Sequence, residues 1–303
     1  MADPKFLIVI GGATATGKTA LAIRLAQHFG AEILSCDSRQ FYRELTIGTA
    51  KPTPAELAAA PHHFINSLSV TEDYSVGDFE RDAIVLLQNL FEKNNMAIMV
   101  GGSGLFIRAV CEGLDEYPAI PPAVKAEIQD LYQREGLTGL QAAIRATDPD
   151  YYQKVDLKNP VRLIRALNVI KTSGLPFSSF QNQKKKKRNF TPIYIHLTTE
   201  RAILYDRINR RVDQMIEAGL LDEARPLVSL KEKNALRTVG YQELMDFFEG
   251  KITLEKAVEL IKRNSRRYAK RQMTWFRKDA HWKSFEGKDW EAIIAYVEDQ
   301  MGE

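Results

Sequence analysis

Short apolar runs and amphipathic stretches alternate over the first third of the chain. Phe6–Ile10, Glu32–Cys36 and Ala97–Val100 are short, mostly apolar segments followed by glycine or polar residues, which is typical of buried strands. Ala20–Phe29 and Phe79–Lys93 carry apolar residues at helical spacing, and the first of them stops before a glycine. This alternation predicts an α/β fold, in which a parallel sheet is flanked by helices on both faces.

The pattern changes after residue 112. Residues 117–183 have helical periodicity interrupted by prolines, without a convincing strand, and an apolar strand returns at Pro192–Leu197. Beyond that strand the periodicity predicts helices almost to the end of the chain. We therefore expect an α/β core formed by residues 1–112 and 191–303, a mostly helical C-terminal part, and an all-helical insertion over residues 113–190.

Composition places the chain among ordinary globular enzymes. It has 303 residues, of which 45% are hydrophobic and 27% charged. No apolar run approaches 18 residues, which excludes a membrane span, and the first apolar run leads straight into a glycine-rich loop rather than a cleavage site. Cys36 and Cys111 are too few for a disulfide framework. We expect a cytoplasmic protein, and the lack of a heptad pattern favours a monomer.

Positive charge is concentrated in two segments, although the net charge is only +3. Lys184–Arg188 consists of five basic residues, and residues 260–278 carry eight Lys or Arg and no acidic residue. Basic islands on an otherwise acidic chain favour a polyanionic partner. The alternative, a solvated basic face, is open for both segments and stronger for Lys184–Arg188.

Helical spacing divides the 260–278 segment into two faces. The basic residues that can share one side are Arg263, Arg267, Lys270, Arg271 and Lys278. We expect the residues that dock the helix on the core to be among Ile261, Tyr268, Met273, Trp275 and Phe276. For Trp275 and Phe276 we favour core packing over stacking on nucleic-acid bases.

The loop after the first strand carries the clearest chemical signal. Its sequence, Gly12-Ala13-Thr14-Ala15-Thr16-Gly17-Lys18-Thr19, fits the phosphate-binding pattern G-x-x-x-x-G-K-[ST], with a strand before it and a helix after it. Backbone amides and the positive end of the helix then face an anion. Lys18 adds a charge, and the Thr19 hydroxyl is suited to bind Mg²⁺. The core is therefore predicted to be P-loop NTPase-like and to bind the diphosphate or triphosphate of a ligand such as a nucleotide.

An acidic residue follows the second strand and not the later one. Ala97–Val100 runs into Gly101-Gly102-Ser103-Gly104 with no carboxylate, whereas Asp37 follows Glu32–Cys36. Because the carboxyl ends of parallel strands line the ligand crevice, Asp37 is expected beside the phosphate loop, where it suits a general base. The alternative is that Asp37 caps a helix starting at Ser38.

A set of motifs resembles the tRNA dimethylallyltransferase (tRNA isopentenyltransferase) family of bacterial type. Beyond Gly12–Thr19, the matching segments in chain order are Asp37–Tyr42, Ile47–Pro52, Pro61–His63, Gly101–Phe106, Asn159–Leu167, Arg207-Ile208 with Arg211–Met215, Gly240-Tyr241 and Ala269–Arg277. They span about residues 6–280. Eukaryotic members of the family add a C-terminal zinc finger, and this chain has no cysteine after Cys111.

The resemblance implies a reaction and roles for particular residues. The family transfers a dimethylallyl group from dimethylallyl diphosphate to the exocyclic amine of adenosine 37, beside the tRNA anticodon, and the phosphate loop holds diphosphate and Mg²⁺ rather than ATP. Asp37 is implied as the base, and Lys18, Thr19 and Arg211 as catalytic partners of the leaving diphosphate. The positions implied or expected to contact the tRNA anticodon stem-loop are Asp37, Ser38, Arg39, Gln40, Ser103, Lys125, Val161, Arg162, Leu163, Ile164, Arg165, Lys270, Arg271 and Arg277.

The sequence departs from the family pattern at three of its positions. Ser103 stands where threonine is usual and keeps the hydroxyl, and Ala13 replaces a common proline. Lys125 stands where arginine is frequent, which keeps the charge and loses bidentate phosphate binding. Lys184–Arg188 lies outside the family pattern and is a further candidate for contact with the anticodon stem.

Two other functions are open on sequence grounds. A kinase for a small metabolite would use the same phosphate loop and Asp37 but leaves the 260–278 segment unexplained. A non-catalytic RNA-binding module would use the loop only to grip nucleic acid. His62-His63 has no third metal ligand nearby, and we interpret this pair as structural.

Overall fold

A computed structural model describes residues 3–181 and 185–302. The chain divides into two compact units, a core unit of Met1–Glu112 with Lys187–Glu303 and an insertion unit of Gly113–Lys186. Within the described residues, every helix is too short or too polar to cross a lipid bilayer.

Six parallel strands form the sheet of the core unit. The strands are β1 (Phe6–Gly12), β2 (Ile33–Ser35), β3 (His62–His63), β4 (Met96–Gly101), β5 (Thr191–Thr198) and β6 (Lys283–Glu286). Their order across the sheet is β3-β2-β4-β1-β5-β6, and every pairing is parallel. The predicted α/β class and the P-loop-like core are confirmed.

Twelve α-helices lie in the described residues. They are α1 (Lys18–Phe29), α2 (Pro54–Ala59), α3 (Val76–Leu90), α4 (Gly104–Glu112), α5 (Pro122–Thr147), α6 (Pro149–Tyr152), α7 (Pro160–Ser173), α8 (Arg201–Glu217), α9 (Leu220–Ala224), α10 (Tyr241–Phe248), α11 (Leu254–Arg277) and α12 (Trp290–Met301). Helices α5 to α7 belong to the insertion unit and the others to the core unit.

The central strands are apolar because both of their faces are buried. Every residue of β1 and β4 is buried. Side chains alternate across a strand, so Ile8 and Ile10 join one hydrophobic layer, with α1 and α12, while Leu7 and Val9 join the opposite layer with α3 and α4. A third apolar cluster, centred on Tyr241 and Leu244, binds α8, α9, α10 and α11 to one another.

The insertion unit has its own apolar core. Leu140, Ile144, Leu163 and Ala166 are completely buried, and they join α5 to α7. The buried Asp148 carboxylate accepts hydrogen bonds from the backbone amides of neighbouring turns and from a serine hydroxyl, and these contacts fix the turn between α5 and α6. The core of this unit forms without any strand in its described residues, as the periodicity predicted.

Two edge strands were missed by the sequence prediction. β3 contains two residues, and β6 carries Lys, Ser, Phe and Glu, so neither has the length or the apolar run of a buried strand. The expectation of helices almost to the chain end is wrong at β6, which pairs with residues Ile195–Thr198 of β5. An edge strand is buried on few sides, which is why its sequence carries a weak signal.

The basic run at 184–188 is partly a structural element of the core unit. Arg188 is nearly buried, and its guanidinium contacts Glu80 Oε1 and Ala109 O, each at 2.7 Å. The expectation that Arg188 belongs to a solvated face or touches the anticodon stem is therefore wrong, because its guanidinium is paired with Glu80 in the interior of the protein. Lys184 lies outside the described residues.

Candidate active site

A cavity of about 630 Å³ opens in the core unit where the carboxyl ends of the strands meet. The phosphate loop, the segment after β2, the 48–52 loop, the loop after β4 and helices α8 and α11 contribute to its walls. The residues of the sequence prediction that line it are Thr14, Ala15, Gly17, Lys18, Thr19, Asp37, Ser38, Arg39, Gln40, Arg211 and Arg271.

The phosphate loop has the backbone that its glycines allow. Gly12 has φ +151° and Gly17 has φ +93°, and a Cβ on Gly12 would lie 2.5 Å from the Leu197 carbonyl oxygen. Within the loop the Thr16 hydroxyl donates to Ala13 O at 2.9 Å, and both of these side chains are buried. Ala13 and Thr16 thus shape the loop, while Thr14, Ala15, Gly17, Lys18 and Thr19 line the cavity.

Lys18 is the half-buried cation of the loop. Its Nζ donates to Ala13 O at 2.7 Å. The pKa of Lys18 is lowered to about 8, chiefly by desolvation; the carboxylate of Asp37 acts in the opposite direction, and the charge of Arg211 contributes to the lowering. An anion placed against this ammonium replaces solvation that burial has removed, so the geometry suits a diphosphate.

Arg211 reaches the phosphate loop from helix α8. Its Nη1 lies 3.1 Å from Thr14 Oγ1, which acts as the acceptor, and burial lowers the pKa of the guanidinium. The residue lies 197 positions from Thr14 in sequence. Arg211 is therefore not a solvated arginine on the helix surface, and it lines the same cavity as Lys18.

Asp37 caps a turn at the carboxyl end of β2. Its Oδ1 accepts the Arg39 amide at 3.0 Å, and the Asp37 amide donates to Ser35 Oγ at 3.4 Å. The segment after Asp37 is a turn and not an α-helix, so the helix-cap interpretation is replaced by a turn of the type that aspartate side chains close. The carboxylate faces the cavity beside the phosphate loop, as predicted.

The Gln40 side chain joins three parts of this wall. Its Nε2 donates to the carbonyl oxygens of Thr49 and Ala50, both at 3.2 Å, and its Oε1 accepts from Ser35 Oγ at 3.2 Å. Arg39 is tied to a different segment, because its Nη1 donates to the Asn234 carbonyl at 2.8 Å. The Asp37–Gln40 segment is therefore held at both ends.

Glu223 is a site residue that sequence reasoning missed. Its carboxylate accepts the backbone amides of Thr46, Ile47 and Gly48 at 2.9, 2.7 and 3.0 Å, and the Tyr241 hydroxyl at 2.5 Å. A Cβ on Gly48 would lie 2.6 Å from the Tyr241 ring. The matching motifs at Ile47–Pro52 and Gly240-Tyr241 are thus one packed assembly, and they hold the loop that Gln40 contacts.

Gln272 plays a similar role between two glycine-rich loops. Its Oε1 accepts the Thr14 amide at 3.0 Å, and its Nε2 donates to the Gly102 carbonyl at 3.1 Å. A Cβ on Gly102 would lie only 2.0 Å from that nitrogen. The polar Gln272 side chain is buried, which gives the sequence Gly101–Gly104 a packing reason in addition to any contact with a ligand.

The burial of the aromatic residues of α11 differs from the prediction. Phe276 is 1% exposed and packs in the core, as expected, but Trp275 is 43% exposed and Tyr268 is 37% exposed. The core-packing interpretation of Trp275 is therefore wrong. Tyr268 lines the cavity and is hydrogen-bonded to Ser103, and burial together with the Asp37 charge raises its pKa to about 12.

The remaining predicted tRNA contacts lie outside the cavity. Lys270 and Arg277 are exposed on α11. In the insertion unit, Lys125, Val161, Arg162 and Arg165 are exposed, while Ile164 is half-buried. Leu163 is a correction, because its side chain is completely buried in the core of that unit and cannot itself contact RNA.

The side chains of His62 and His63 each have a hydrogen-bond partner within the protein. His63 Nε2 lies 2.6 Å from Glu32 Oε2, and His62 Nδ1 lies 2.7 Å from Ala60 O. Residues 3–181 and 185–302 contain no group of three His, Cys, Asp or Glu side chains that could hold a metal ion. A divalent cation would depend on the Thr19 hydroxyl and on the oxygens of a bound ligand.

Comparison with protein-family models matches residues 40–279 to the family described as IPP transferase. Among curated relatives, the tRNA dimethylallyltransferase of Christiangramia forsetii is 52% identical over 297 residues, which are 98% of each chain. The protein of the same name from Flavobacterium johnsoniae is 49% identical over 304 residues, again covering 98% of each chain.

Solved structures agree with this assignment. The tRNA isopentenylpyrophosphate transferase of Bacillus halodurans superimposes with a TM-score of 0.74 and 36% identity, covering 98% of this chain and 97% of that one. A eukaryotic dimethylallyltransferase acting on tRNA has a TM-score of 0.83 at 24% identity, covering 98% of this chain and 80% of its own, and it shows the shared fold. The phosphate loop, Asp37, Arg211 and these similarities lead to one conclusion: the chain belongs to the IPP transferase family, the family of the tRNA dimethylallyltransferases.

Proposed function

We propose that this protein transfers the dimethylallyl group of dimethylallyl diphosphate to the exocyclic amine of adenosine 37 in tRNA, releasing diphosphate. The observation that carries this proposal is that cations suited to bind an anion and a carboxylate suited to act as a base line the same cavity. The phosphate loop, Lys18 and Arg211, which suit an anion, line the same cavity as the carboxylate of Asp37, which follows β2.

Lys18 and Arg211 act on the leaving diphosphate. Negative charge grows on the diphosphate as the allylic carbon–oxygen bond breaks, and preorganised cations in a cavity stabilise that charge in the transition state. The loop amides and the positive end of α1 act in the same direction.

The donor set fits Mg²⁺. Thr19 lines the cavity, the described residues offer no cluster of protein ligands, and Mg²⁺ is usually held by few protein oxygens together with phosphate oxygens and waters. Thr19 would hold the ion, which supplies charge neutralisation to the diphosphate.

Asp37 takes the proton of the attacking amine. The lone pair of an exocyclic adenine amine is delocalised into the ring, so attack needs a base. The nitrogen–carbon bond forms as the carbon–oxygen bond breaks, diphosphate leaves with the electron pair, and the amine proton passes to the carboxylate. Its turn hydrogen bond with Arg39 and the Gln40 contacts support this role, because they fix the carboxylate toward the cavity.

The target base has to leave the anticodon-loop stack to enter the cavity. We assign recognition of this base to Asp37, Ser38, Arg39, Gln40, Ser103 and Arg271. We assign binding of the backbone phosphates to Lys270 and Arg277. In the insertion unit, Lys125 on α5 and Val161, Arg162, Ile164 and Arg165 on α7 are proposed to contact the anticodon stem-loop, while Leu163 packs α7 into the core of that unit. The exposed basic residues support tRNA as the partner, and the two free, buried cysteines support a location in the cytoplasm. We propose a monomer because the sequence has no heptad pattern.

One assay tests the proposal. Unmodified tRNA and dimethylallyl diphosphate are incubated with the protein and Mg²⁺, and the nucleosides are analysed by mass spectrometry. We expect isopentenyladenosine that maps to position 37. A kinase instead predicts stabilisation by ATP and phosphate transfer, and an RNA-binding module predicts tRNA binding without product; either result contradicts the proposal.

A further inference from the structure

Lys51 connects three segments of the chain beside the cavity. It lies in the 48–52 loop of the cavity wall, and its Nζ donates to Tyr42 O at 2.6 Å and to Arg43 O at 3.4 Å, in the turn after β2. The same Nζ donates to Asn66 Oδ1 at 2.5 Å, in the segment after β3. An ammonium group has three donors. These three contacts therefore occupy the Lys51 ammonium with acceptors of the protein itself.

Further hydrogen bonds join the same three segments. The Asn66 amide donates to Gln40 O at 3.2 Å. The Gln40 side chain donates from Nε2 to Ala50 O, beside Lys51, also at 3.2 Å. We refer to these two contacts and the three contacts of the Lys51 ammonium as the Lys51 junction. The junction forms a closed ring, so a displacement of one segment disturbs the other two.

Backbone in a left-handed conformation is concentrated around the Lys51 junction. Ala50, Phe64 and Asn66 have φ values of +48°, +62° and +57°, which residues other than glycine rarely adopt. In the rest of the described chain one further non-glycine residue has a positive φ, Ala15 of the phosphate loop. Such conformations cost free energy and persist where surrounding contacts hold them, commonly at active sites. The Lys51 junction supplies such contacts to Ala50 and Asn66.

The Lys51 ammonium is partly removed from water. Desolvation lowers the pKa of Lys51 to about 8, and the carboxylates of Glu223 and Glu44 act in the opposite direction. Below that pH the group is charged, and its three acceptors are uncharged oxygens. Hydrogen bonds from a charged donor are stronger than those from a neutral donor. The ammonium is therefore suited to hold a segment whose backbone is strained.

We infer that Lys51 is a positioning residue for the transfer reaction: its ammonium holds the left-handed segment after β3 against the turn after β2 and thereby fixes the Asp37–Gln40 segment. The Gln40 carbonyl belongs to the Lys51 junction, and the Gln40 amide donates to Asp37 O at 3.2 Å. Lys51 thus acts on the proposed base through the backbone of this segment. The inference rests on the proposed function and deepens it, because it names a residue that keeps the base in place.

Lys51→Met keeps the length of the side chain and removes its hydrogen-bond donors. We expect single-turnover formation of isopentenyladenosine to fall by about 10- to 100-fold, because a displacement of about 1 Å in a catalytic group can have an effect of this size. The Kd for dimethylallyl diphosphate with Mg²⁺ should stay within a few-fold of wild type, since the phosphate loop holds the diphosphate.

Lys251→Met is the control for the loss of an ammonium. Lys251 is exposed and paired with Asp246, so its variant should react at the wild-type rate. An unchanged rate in a folded Lys51→Met protein overturns the inference. A marked rise of its Kd for dimethylallyl diphosphate also overturns it, because the ammonium would then contact the substrate.

Two substitutions of Asn66 separate the hydrogen bond from the backbone conformation. Asn66→Asp keeps an acceptor oxygen and tolerates a left-handed backbone, so it should retain the wild-type rate. Asn66→Gly suits this backbone still better but removes the acceptor, so its rate should fall. The double variant with Lys51→Met and Asn66→Gly should be no slower than Lys51→Met alone, since both changes act on one junction. Independent losses that multiply in the double variant overturn the inference.

Hydrogen exchange tests the Lys51 junction without any activity. The amides of Gln40 and Asn66 should exchange faster in Lys51→Met than in wild type, while the amide of Ile98 in β4 keeps its rate. If Lys51→Met does not fold, Asn66→Gly is compared with Asn66→Asp in the same way. Unchanged exchange overturns the inference. Failure of the proposed function is a separate result, because wild type then forms no isopentenyladenosine whatever the exchange rates show.

Discussion

The Glu223 carboxylate accepts the backbone amide of Gly48 at 3.0 Å, and this contact links the C-terminal helices to the wall of the active site. Two preceding amides share the same carboxylate. The loop they anchor continues to Thr49 and Ala50, whose carbonyls hold Gln40, and Ser35 connects Gln40 back to the Asp37 amide. Hydrogen bonds and the backbone of the 48–50 loop thus connect Glu223 to the backbone of the proposed base.

Substitution of Glu223 by glutamine should reduce turnover. An amide cannot accept from three backbone donors and a tyrosine hydroxyl as a carboxylate does, and each unsatisfied buried donor costs about 1–3 kcal/mol. We expect kcat to fall by about tenfold as the loop loses its fixed position. The KM for dimethylallyl diphosphate should change little, because the phosphate loop does not contact Glu223.

Glu80→Gln is the matched control for Glu223→Gln. It weakens a buried ion pair with Arg188, far from the hydrogen-bond chain that reaches Asp37. Both variants should melt at lower temperature than wild type, yet only Glu223→Gln should lose turnover when assayed well below its melting temperature. Equal kcat values in the two variants would mean that Glu223 contributes stability alone.

The depressed pKa of Lys18, about 8, predicts a pH dependence of anion binding. The ammonium is present below pH 8 and is lost as the pH rises through that value, so the affinity for inorganic diphosphate should fall above pH 8. Isothermal titration calorimetry at pH values from about 7 to about 9.5 measures this affinity. Lys18→Met removes the ionisable group and serves to subtract the titration of diphosphate itself; a pH profile identical to wild type would contradict the assignment.

The lowered pKa of Lys18 also determines how the free energy of unfolding changes with pH. Burial lowers the pKa of Lys18 from 10.5 to about 8, so between these values the unfolded chain binds the proton and the folded protein does not. Stability therefore gains a contribution as the pH rises from 8 toward 10.5, and the buried charge opposes folding below pH 8. In urea unfolding, Lys18→Met should be more stable than wild type at pH 7, and the difference should shrink by pH 10. A difference independent of pH would contradict this linkage.

Binding of tRNA should depend steeply on salt. A protein that neutralises about six phosphates loses roughly a thousandfold in affinity between 50 and 200 mM salt. Reversing the exposed charges with Lys270→Glu and Arg277→Glu should weaken tRNA binding and reduce the salt slope, while leaving diphosphate affinity unchanged. Loss of both affinities together would indicate that the helix had been disturbed.

The sequence predicted the core of the fold because that core is local and repetitive. Buried parallel strands are short apolar runs, and the loop after β1 contains its own signature. The edges were missed, since β3 and β6 have two and four residues and little apolar character. Trp275 was misjudged because helical spacing shows which residues share a face, but not how much of that face other elements cover; Trp275 lies against Gly104 at the start of α4 and is still 43% exposed.

The site was less predictable because its contacts are distant in sequence. Thr14 meets Arg211 across 197 positions and Gln272 across 258. Nothing in the local pattern around Arg211 distinguishes it from other arginines of α8, and its assignment came from family resemblance. Glu223 was not singled out from the sequence, because its partners, the Gly48 amide and the Tyr241 hydroxyl, are brought to it only in the folded chain.

Asp37→Asn tests the central claim most directly. The amide has the size of the carboxylate and can still accept the Arg39 amide, so the turn should persist and the Kd values for tRNA and dimethylallyl diphosphate should stay within a few-fold of wild type. It cannot take the amine proton, so single-turnover formation of isopentenyladenosine should fall by at least about a hundredfold. A folded Asp37→Asn protein that binds tRNA and forms product at the wild-type rate would contradict the account.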